Sequence, residues 1–169
     1  VAVVRLDRLL RSLHFGREDS DIIVTSDYYE PPSVMQDRNN HGDVSAAYTW
    51  ACQIAEVEVD TETGIVRLRK VWSTHDVGKV INPLGIEGQI QGGVIMGAGY
   101  ALTEDLLIKK GKVLNPSFAD YKVLTATEIP DIDIGLVETD DPEGPYGAKG
   151  IGEAPIVPMA PAVANAVYN

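Results

Sequence analysis

Hydrophobic and polar residues alternate strictly over residues 54–60, with two valines on one face and two glutamates on the other. Residues 61–64 then supply a turn, and residues 65–72 return with two arginines on a common face. This pattern predicts a β-hairpin in which the arginines meet the glutamates across the strands. Each exposed pair of this kind contributes only about 0.2–1 kcal/mol, so the pairs favour a register more than they stabilise a fold.

A glycine-rich helix is predicted next. Asn82 followed by Pro83 is typical of a helix start, with asparagine as the cap and proline in the first turn, and the helix is expected to run to about Leu102. Each interior glycine costs roughly 0.5–1 kcal/mol relative to alanine, so another helix or a ligand must approach this backbone closely. The glycines are Gly85, Gly88, Gly92, Gly93, Gly97 and Gly99.

The remaining pattern mixes strands and helices and predicts an α+β fold made of mixed sheets and hairpins around the glycine-rich helix. No internal repeat is present. The further expected elements are an amphipathic helix over residues 1–13, a strand over 21–29, a polar loop over 37–43, a second hairpin over 106–114 that turns at Lys110-Gly111, a strand over 132–137 and a helix over 158–167.

Composition excludes several classes of protein. The chain has 169 residues with a formal net charge of −11, which repels phosphate backbones and argues against nucleic-acid binding. Its least polar stretch, residues 92–102, is far shorter than the roughly 20 residues of a membrane span. Residues 1–13 carry arginines throughout, so no signal peptide is expected and a cytoplasmic location is predicted. Because the chain begins with valine, we expect a fragment or a processed subunit.

Sulfur and imidazole side chains offer little metal chemistry. The single cysteine, Cys52, excludes an internal disulfide and a multi-cysteine metal site, and we expect it to be a small buried residue on a strand. His14, His41 and His75 lack a paired spacing for zinc, so no protein metal ligand is predicted. His75 and Asp76 are adjacent, but neighbouring strand residues point to opposite faces.

Residues 144–155 form a glycine-rich segment that could bind an anion. Its glycines leave backbone amides uncovered, and Lys149 is the one positive charge nearby, which together suggest an anion cradle. The segment is neither a Walker loop nor a dinucleotide fingerprint, because the glycine order and following residues are wrong for both. An ordinary exposed turn is the alternative interpretation.

Glu153 and two glutamines are the side chains in these segments that could carry chemistry. Glu153 precedes the final helix, whose N-terminus would stabilise a nearby carboxylate by about 0.3–1 kcal/mol, although position alone equally fits a solvated surface glutamate. Gln89 and Gln91 lie on the glycine-rich helix and could hydrogen-bond a polar heterocycle. Solvation of the helix is the commoner role for such glutamines.

Several long motifs occur together in one order. They are His41-Gly42-Asp43, then AEVEVDTETGIVRLRKVWSTHDVGKVINP, GQIQGGVIMGAGYALTED, YKVLTATEIPDI and GPYGAKGIGEAPIVPMAPAVANAV. From about Ser20 to Asn169 the chain resembles the C-terminal part of the molybdopterin-binding large subunit of the xanthine dehydrogenase and aldehyde oxidase family of molybdenum hydroxylases. It departs from the family at Leu124, where relatives often have proline. On this resemblance, residues 1–169 are the C-terminal part of a molybdopterin-binding domain.

The resemblance implies a molybdenum–molybdopterin cofactor, in its plain or dinucleotide form, and hydroxylation of an aldehyde or an N-heteroaromatic, purine-like substrate with oxygen from water. Glu153, in Gly152-Glu153-Ala154-Pro155, would be the general base, and Gln89 would hydrogen-bond the pterin. The other residues that the resemblance implies along the cofactor are Gly88, Gly92, Lys149, Gly150, Ile151 and Gly152.

Partners are implied by the same resemblance. The site needs the remaining part of the molybdopterin subunit, and electrons must leave through iron–sulfur clusters and FAD on partner domains or subunits, within a dimer of the complex. A lone cysteine cannot ligate a cluster itself. The alternative hypothesis is a non-catalytic scaffold or assembly domain that keeps the family fold.

Overall fold

A computed structural model of the chain describes residue 30 and residues 32–169. The predicted helix over residues 1–13 and the predicted strand over residues 21–29 lie outside the described residues. Residues 32–169 form one of two units into which the chain divides. Within the described residues no helix combines the length and hydrophobicity that crossing a bilayer requires.

A three-stranded sheet is the framework of this unit. Strands β1 (Ala51–Val59) and β2 (Val66–Asp76) pair antiparallel, which confirms the predicted hairpin with both strands longer than expected. Strand β5 (Asp131–Val137) joins the other side of β2 in parallel. The predicted attraction between an arginine and a glutamate forms between Arg69 and Glu58. These two residues are not directly opposite each other, since Glu58 pairs with Arg67 and the register shifts between Glu56 and Val57.

Two helices pack with the sheet around one core. Helix α1 (Pro83–Leu102) begins as predicted, because the Asn82 side chain accepts a hydrogen bond from the Gly85 amide at 3.1 Å. Helix α2 (Met159–Tyr168) confirms the predicted C-terminal helix. The buried core draws on β2, α1 and α2, and its members are Leu68, Val71, Ile90, Val94, Ala98, Met159 and Val163.

Four of the six glycines of α1 fall into two pairs. A Cβ atom on Gly97 would lie 2.6 Å from Cβ of Met159, and one on Gly93 would lie 2.7 Å from Cβ of Pro155. The close approach expected from the glycine content is therefore made, at these two positions, by the first residue of α2 and by the segment just before it. At Gly88 and Gly92 a Cβ would meet open space, so packing among the described residues does not explain those glycines.

The second predicted hairpin is also confirmed. Strands β3 (Ile108–Lys109) and β4 (Lys112–Val113) pair antiparallel, and both turn residues have positive φ, 50° at Lys110 and 77° at Gly111. Positive φ at both central positions is the requirement of a tight hairpin turn. Together with the sheet and the helices, this hairpin confirms the α+β class.

The expectation for Cys52 is corrected. It lies on β1 as predicted, but it is exposed rather than buried. Side chains alternate along a strand, and Gln53, Ala55 and Val57 are the more buried positions of β1. Cys52 therefore projects to the opposite, uncovered face of the sheet.

Candidate functional site

A buried ion pair attaches the glycine-rich segment to the end of strand β2. Residues 147–155, here called the Glu153 loop, contain Lys149, whose Nζ lies 2.7 Å from Oδ2 of Asp76. The two side chains are only 10% and 9% exposed, and Nζ also donates to the carbonyl oxygen of Tyr48 at 3.0 Å. Asp76 therefore balances the charge of Lys149, which the sequence analysis assigned to a possible anion cradle as the one positive charge nearby.

Asp76 collects three donors. Its Oδ1 accepts hydrogen bonds from the Gly78 amide at 3.0 Å and from Oγ1 of Thr139 at 2.6 Å. Burial raises the pKa of Asp76, but the hydrogen bonds from Lys149, Thr139 and Gly78 outweigh burial and lower the pKa to about 2. The carboxylate is thus ionised at neutral pH and can hold the ammonium of Lys149.

Gly78 allows the Glu153 loop to lie against this end of β2. Its φ is +63°, and a Cβ there would overlap the carbonyl oxygen of Gly147. The amide of Lys79 donates to that same oxygen at 2.7 Å, and the amide of Lys149 donates to the carbonyl of Val77 at 2.9 Å. A side chain at position 78 would therefore break the backbone contacts that fix Lys149.

Beyond Lys149 the loop presents unused hydrogen-bond donors. The amides of Gly150, Ile151 and Gly152 donate to no other residue in the part of the chain that the structure describes. A Cβ on Gly150 or Gly152 would meet open space, and both glycines are exposed. This run of free amides is the feature that the sequence predicted for an anion cradle, now without the help of a free lysine charge.

The structure brings Gln89 to the same place. A shallow cleft of about 210 Å³, here called the Gln89 cleft, is lined by Gln89 and Ile86 from α1, by Val77 and by Lys149 and Ile151 of the loop. Gly88 and Gly92 are exposed on α1 beside Gln89. Three of the predicted cofactor residues, Gln89, Lys149 and Ile151, therefore line one cleft, although they are far apart in sequence.

Glu153 lies close by in sequence but is not part of the cleft wall. Its side chain is exposed and makes no hydrogen bond or ion pair within the described residues. Its carbonyl accepts a hydrogen bond from the amide of Ile156 at 3.2 Å, which closes a turn ahead of α2. Because α2 begins only at Met159, Glu153 is not in the first helical turn, and the expected stabilisation by the helix N-terminus does not apply.

Two polar residues that sequence reasoning missed, Gln53 and Ser73, lie behind this turn together with His75. Gln53 Nε2 donates to the carbonyl oxygen of Pro155 at 2.8 Å and to Oγ of Ser73 at 2.9 Å, and Oγ of Ser73 lies 2.8 Å from Nε2 of His75. As expected, His75 and Asp76 do not pair with each other, since each turns to a different partner. Within the described residues no three His, Cys, Asp or Glu side chains converge on a position for a metal ion.

Known proteins share this sequence and this fold. Residues 3–130 match the model of the molybdopterin cofactor-binding domain. The chain is 40% identical over 120 residues to the xanthine dehydrogenase molybdenum-binding subunit of Escherichia coli O157:H7, which covers 70% of the chain and 16% of that protein. It is 32% identical over 143 residues to the carbon monoxide dehydrogenase large chain of Afipia carboxidovorans, covering 84% of the chain and 16% of the relative.

The crystal structure of the aldehyde oxidoreductase from Desulfovibrio desulfuricans superimposes with a TM-score of 0.76 at 34% identity, over 82% of this chain and 15% of that one. The chain therefore spans about one sixth of the length of these relatives. The match to the family model includes Gln89 and ends before the Glu153 loop. The chain belongs to the molybdopterin cofactor-binding domain family, and it is homologous to the large subunits of xanthine dehydrogenase, carbon monoxide dehydrogenase and aldehyde oxidoreductase.

Proposed function

We propose that this chain is the C-terminal part of a molybdopterin-binding domain and supplies the base-bearing half of the active site of a molybdenum hydroxylase. The enzyme would hydroxylate an aldehyde or an N-heteroaromatic, purine-like substrate with oxygen from water. The observation that carries the proposal is that the loop segment with free amides, residues 150–152, reaches the Gln89 cleft through Ile151, two residues before the exposed carboxylate of Glu153.

The residues at and beside the cleft fit molybdopterin. Its ring and phosphate offer many acceptors and donors, which match the unused amides of Gly150, Ile151 and Gly152 and the side-chain amide of Gln89. The open space above Gly88, Gly92, Gly150 and Gly152 allows a flat cofactor, plain or dinucleotide, to approach the backbone. When bound, the molybdenum centre supplies two-electron redox chemistry and activation of water.

Glu153 would act as general base. Its carboxylate takes the proton from the water-derived hydroxyl as that oxygen attacks the electron-poor carbon of the substrate. The carbon gains one oxygen and loses one hydrogen, and two electrons leave the substrate. A positioned base typically contributes about 10²–10⁴-fold in rate, or about 3–5 kcal/mol of barrier. The exposure of Glu153 supports this role, because the carboxylate is open to a reactant.

Partners follow from the same proposal. The remaining part of the molybdopterin subunit completes the site, and iron–sulfur and FAD subunits or domains carry the electrons away, within a dimer of the complex. Large apolar side chains on the surface support such partners, because exposed apolar patches mark interaction surfaces. The most exposed include Met35 at 81%, Leu84 at 79%, Phe118 at 78%, Trp50 at 73% and Val157 at 72%.

Substitution of the base tests the proposal in the assembled enzyme. We expect Glu153→Gln to keep molybdenum at the parent level and to lower turnover by about 10²–10⁴-fold, because the amide cannot accept the proton. Turnover is measured with a panel of aldehydes and N-heteroaromatics and an artificial electron acceptor, and Glu62→Gln, in the exposed β1–β2 turn, is the matched control. Parent-like turnover of Glu153→Gln with full molybdenum would refute the base. A parent complex that assembles without molybdenum would favour the scaffold hypothesis instead.

A further inference from the structure

Three polar side chains from β1 and β2 converge beneath Pro155. Gln53 uses its amide nitrogen twice, donating to the carbonyl oxygen of Pro155 at 2.8 Å and to Oγ of Ser73 at 2.9 Å. Ser73 continues the chain to Nε2 of His75 at 2.8 Å. Ser73 and His75 are fully buried, each 0% exposed. None of these residues belongs to the Gln89 cleft.

We propose that Gln53 is a positioning residue that fixes the Glu153 loop through the carbonyl of Pro155, with Ser73 and His75 holding the Gln53 amide in orientation. The inference rests on the proposed function of Glu153. Pro155 has no N–H, so its carbonyl is the one backbone group it offers for a hydrogen bond. The ring of Pro155 is itself fully buried, and its Cβ lies where a side chain on Gly93 of α1 would be.

Pro155 is thus held from two sides, by the backbone of α1 at Gly93 and by the Gln53 amide of β1. Glu153 is fixed to this point by a short turn, because its own carbonyl accepts the amide of Ile156, the residue after Pro155. A hydrogen bond that sets the direction of the Pro155 carbonyl therefore sets the plane of the turn that carries Glu153.

The donor and the acceptor of each hydrogen bond in this network can be assigned from the hydrogens that each side chain carries. A glutamine amide nitrogen has two hydrogens, and Gln53 directs one to Pro155 and one to Ser73. The Ser73 hydroxyl is then free to donate its own hydrogen to Nε2 of His75. Burial lowers the pKa of His75, which keeps the imidazole neutral and able to accept. Within the described residues this arrangement assigns the ring hydrogen to Nδ1.

The network costs stability, which argues for a role other than packing. Oε1 of Gln53 and Nδ1 of His75 are buried without a hydrogen-bond partner in the described part of the chain. Unpaired buried polar atoms are unfavourable, and replacing hydrogen-bonded partners with apolar groups of the same shape is often neutral or stabilising. An apolar residue at position 53 could pack against Pro155 equally well, but it could not set the direction of the carbonyl.

Gln53→Met tests the inference in the assembled enzyme, because methionine has a similar length and no donor. We expect molybdenum content and KM within twofold of the parent, and kcat lowered on the order of 10–100-fold, since a displacement of about 1 Å can cost about 10²-fold. Hydrogen exchange at the amide of Ile156, which donates to the carbonyl of Glu153, should be at least tenfold faster. Thr74→Val, on the exposed face of β2 next to Ser73, is the matched control and should change none of these.

A second variant separates hydrogen bonding from packing. Gln53→Glu can donate to Pro155 only while its carboxyl is protonated, so its kcat relative to the parent should fall as pH rises, whereas the ratio for Gln53→Met should stay flat. A flat ratio for Gln53→Glu would contradict the inference. If the Gln53→Met protein does not accumulate, Ser73→Ala is measured instead. A parent-like kcat together with parent-like hydrogen exchange in Ser73→Ala would overturn the inference.

The Glu153→Gln variant keeps the two proposals apart. Loss of turnover in Glu153→Gln combined with parent-like kcat and exchange in Gln53→Met would overturn the positioning role alone. Parent-like turnover in Glu153→Gln would overturn the base, and accelerated exchange of the Ile156 amide in Gln53→Met would then support only the attachment of the loop by Gln53.

Discussion

Replacing Lys149 with methionine should release the Glu153 loop from the sheet. The change removes the ammonium but keeps much of the aliphatic stem, so the main effect is on Asp76, whose carboxylate loses its ion-pair partner 2.7 Å away. Asp76 keeps its hydrogen bonds from Gly78 and Thr139, but it becomes a buried charge without a counterion. The loss of the bond to the Tyr48 carbonyl adds to the effect.

The magnitude follows from the burial of the pair. Removing one partner of a buried pair typically costs about 3–5 kcal/mol, because the other charge is left uncompensated. Both side chains here are about one-tenth exposed, so the pair is buried by this measure. The nearby ion pair between Lys79 and Glu138, at 3.3 Å, is about half exposed, and such surface pairs contribute about 0–1 kcal/mol. Lys79→Met is therefore the matched control.

Hydrogen exchange in the assembled enzyme measures this difference locally. The Lys149 amide donates to the Val77 carbonyl, so its exchange reports opening of the loop. At about 1.4 kcal/mol for each tenfold change, Lys149→Met should accelerate exchange on the order of 10²–10³-fold or more, and Lys79→Met by less than about tenfold. Adding Asp76→Asn to Lys149→Met should restore part of the protection, because the unpaired charge is gone. Equal exchange in the Lys149 and Lys79 variants would refute the reasoning.

Two further outcomes are expected. Because the pKa of Asp76 is lowered from 3.8 to about 2, its ionisation stabilises the folded loop by about 2–3 kcal/mol above pH 3.8, and this contribution is lost as pH falls through 3.8 towards 2. Hydrogen exchange of the Lys149 amide, corrected for the intrinsic rate, should rise over that window in the parent enzyme and not in Asp76→Asn. Gly97→Ala should lower the free energy of unfolding by about 1–3 kcal/mol, because the added methyl group overlaps Met159. Gly88→Ala should leave the free energy of unfolding unchanged and lower the molybdenum content. Unchanged molybdenum in Gly88→Ala would contradict the cofactor contact.

The elements that the sequence predicted correctly are those set by neighbouring residues. Alternation and a four-residue turn specify the β1–β2 hairpin, and Asn82 caps α1 by a bond to Gly85, three residues away. Lys110 and Gly111 form a turn whose backbone angles depend only on themselves. Cys52 was different, because alternation says that it faces away from Gln53 but not which face of β1 other elements cover.

The contacts that build the site join residues far apart in the chain. Lys149 and Asp76 are 73 positions apart, and Gln53 and Pro155 are 102 positions apart. No local pattern marks such a pair, and His75 beside Asp76 suggested a pairing that strand geometry forbids. The sequence did contain one signal, because Asp76 is an aspartate at the end of a strand, two residues before a glycine. That position was a reason to look there for the ion-pair partner of Lys149.

The free amides of the Glu153 loop are a consequence of how the loop is attached to the segment around the start of β1. Thr49 Oγ1 donates to the carbonyl of Gly150 at 3.0 Å, and Gln53 donates to the carbonyl of Pro155, so carbonyl oxygens of the loop make these contacts with the protein. In a trans peptide the C=O of one residue and the N–H of the next point in opposite directions. The carbonyl of Gly150, once bound to Thr49, therefore turns the amide of Ile151 away from that segment, and Ile151 lines the Gln89 cleft. Residues 150–152, which are attached here through the Gly150 carbonyl, therefore keep their amides for a ligand, whereas Lys149, which is bound through its amide, has no backbone donor left to offer.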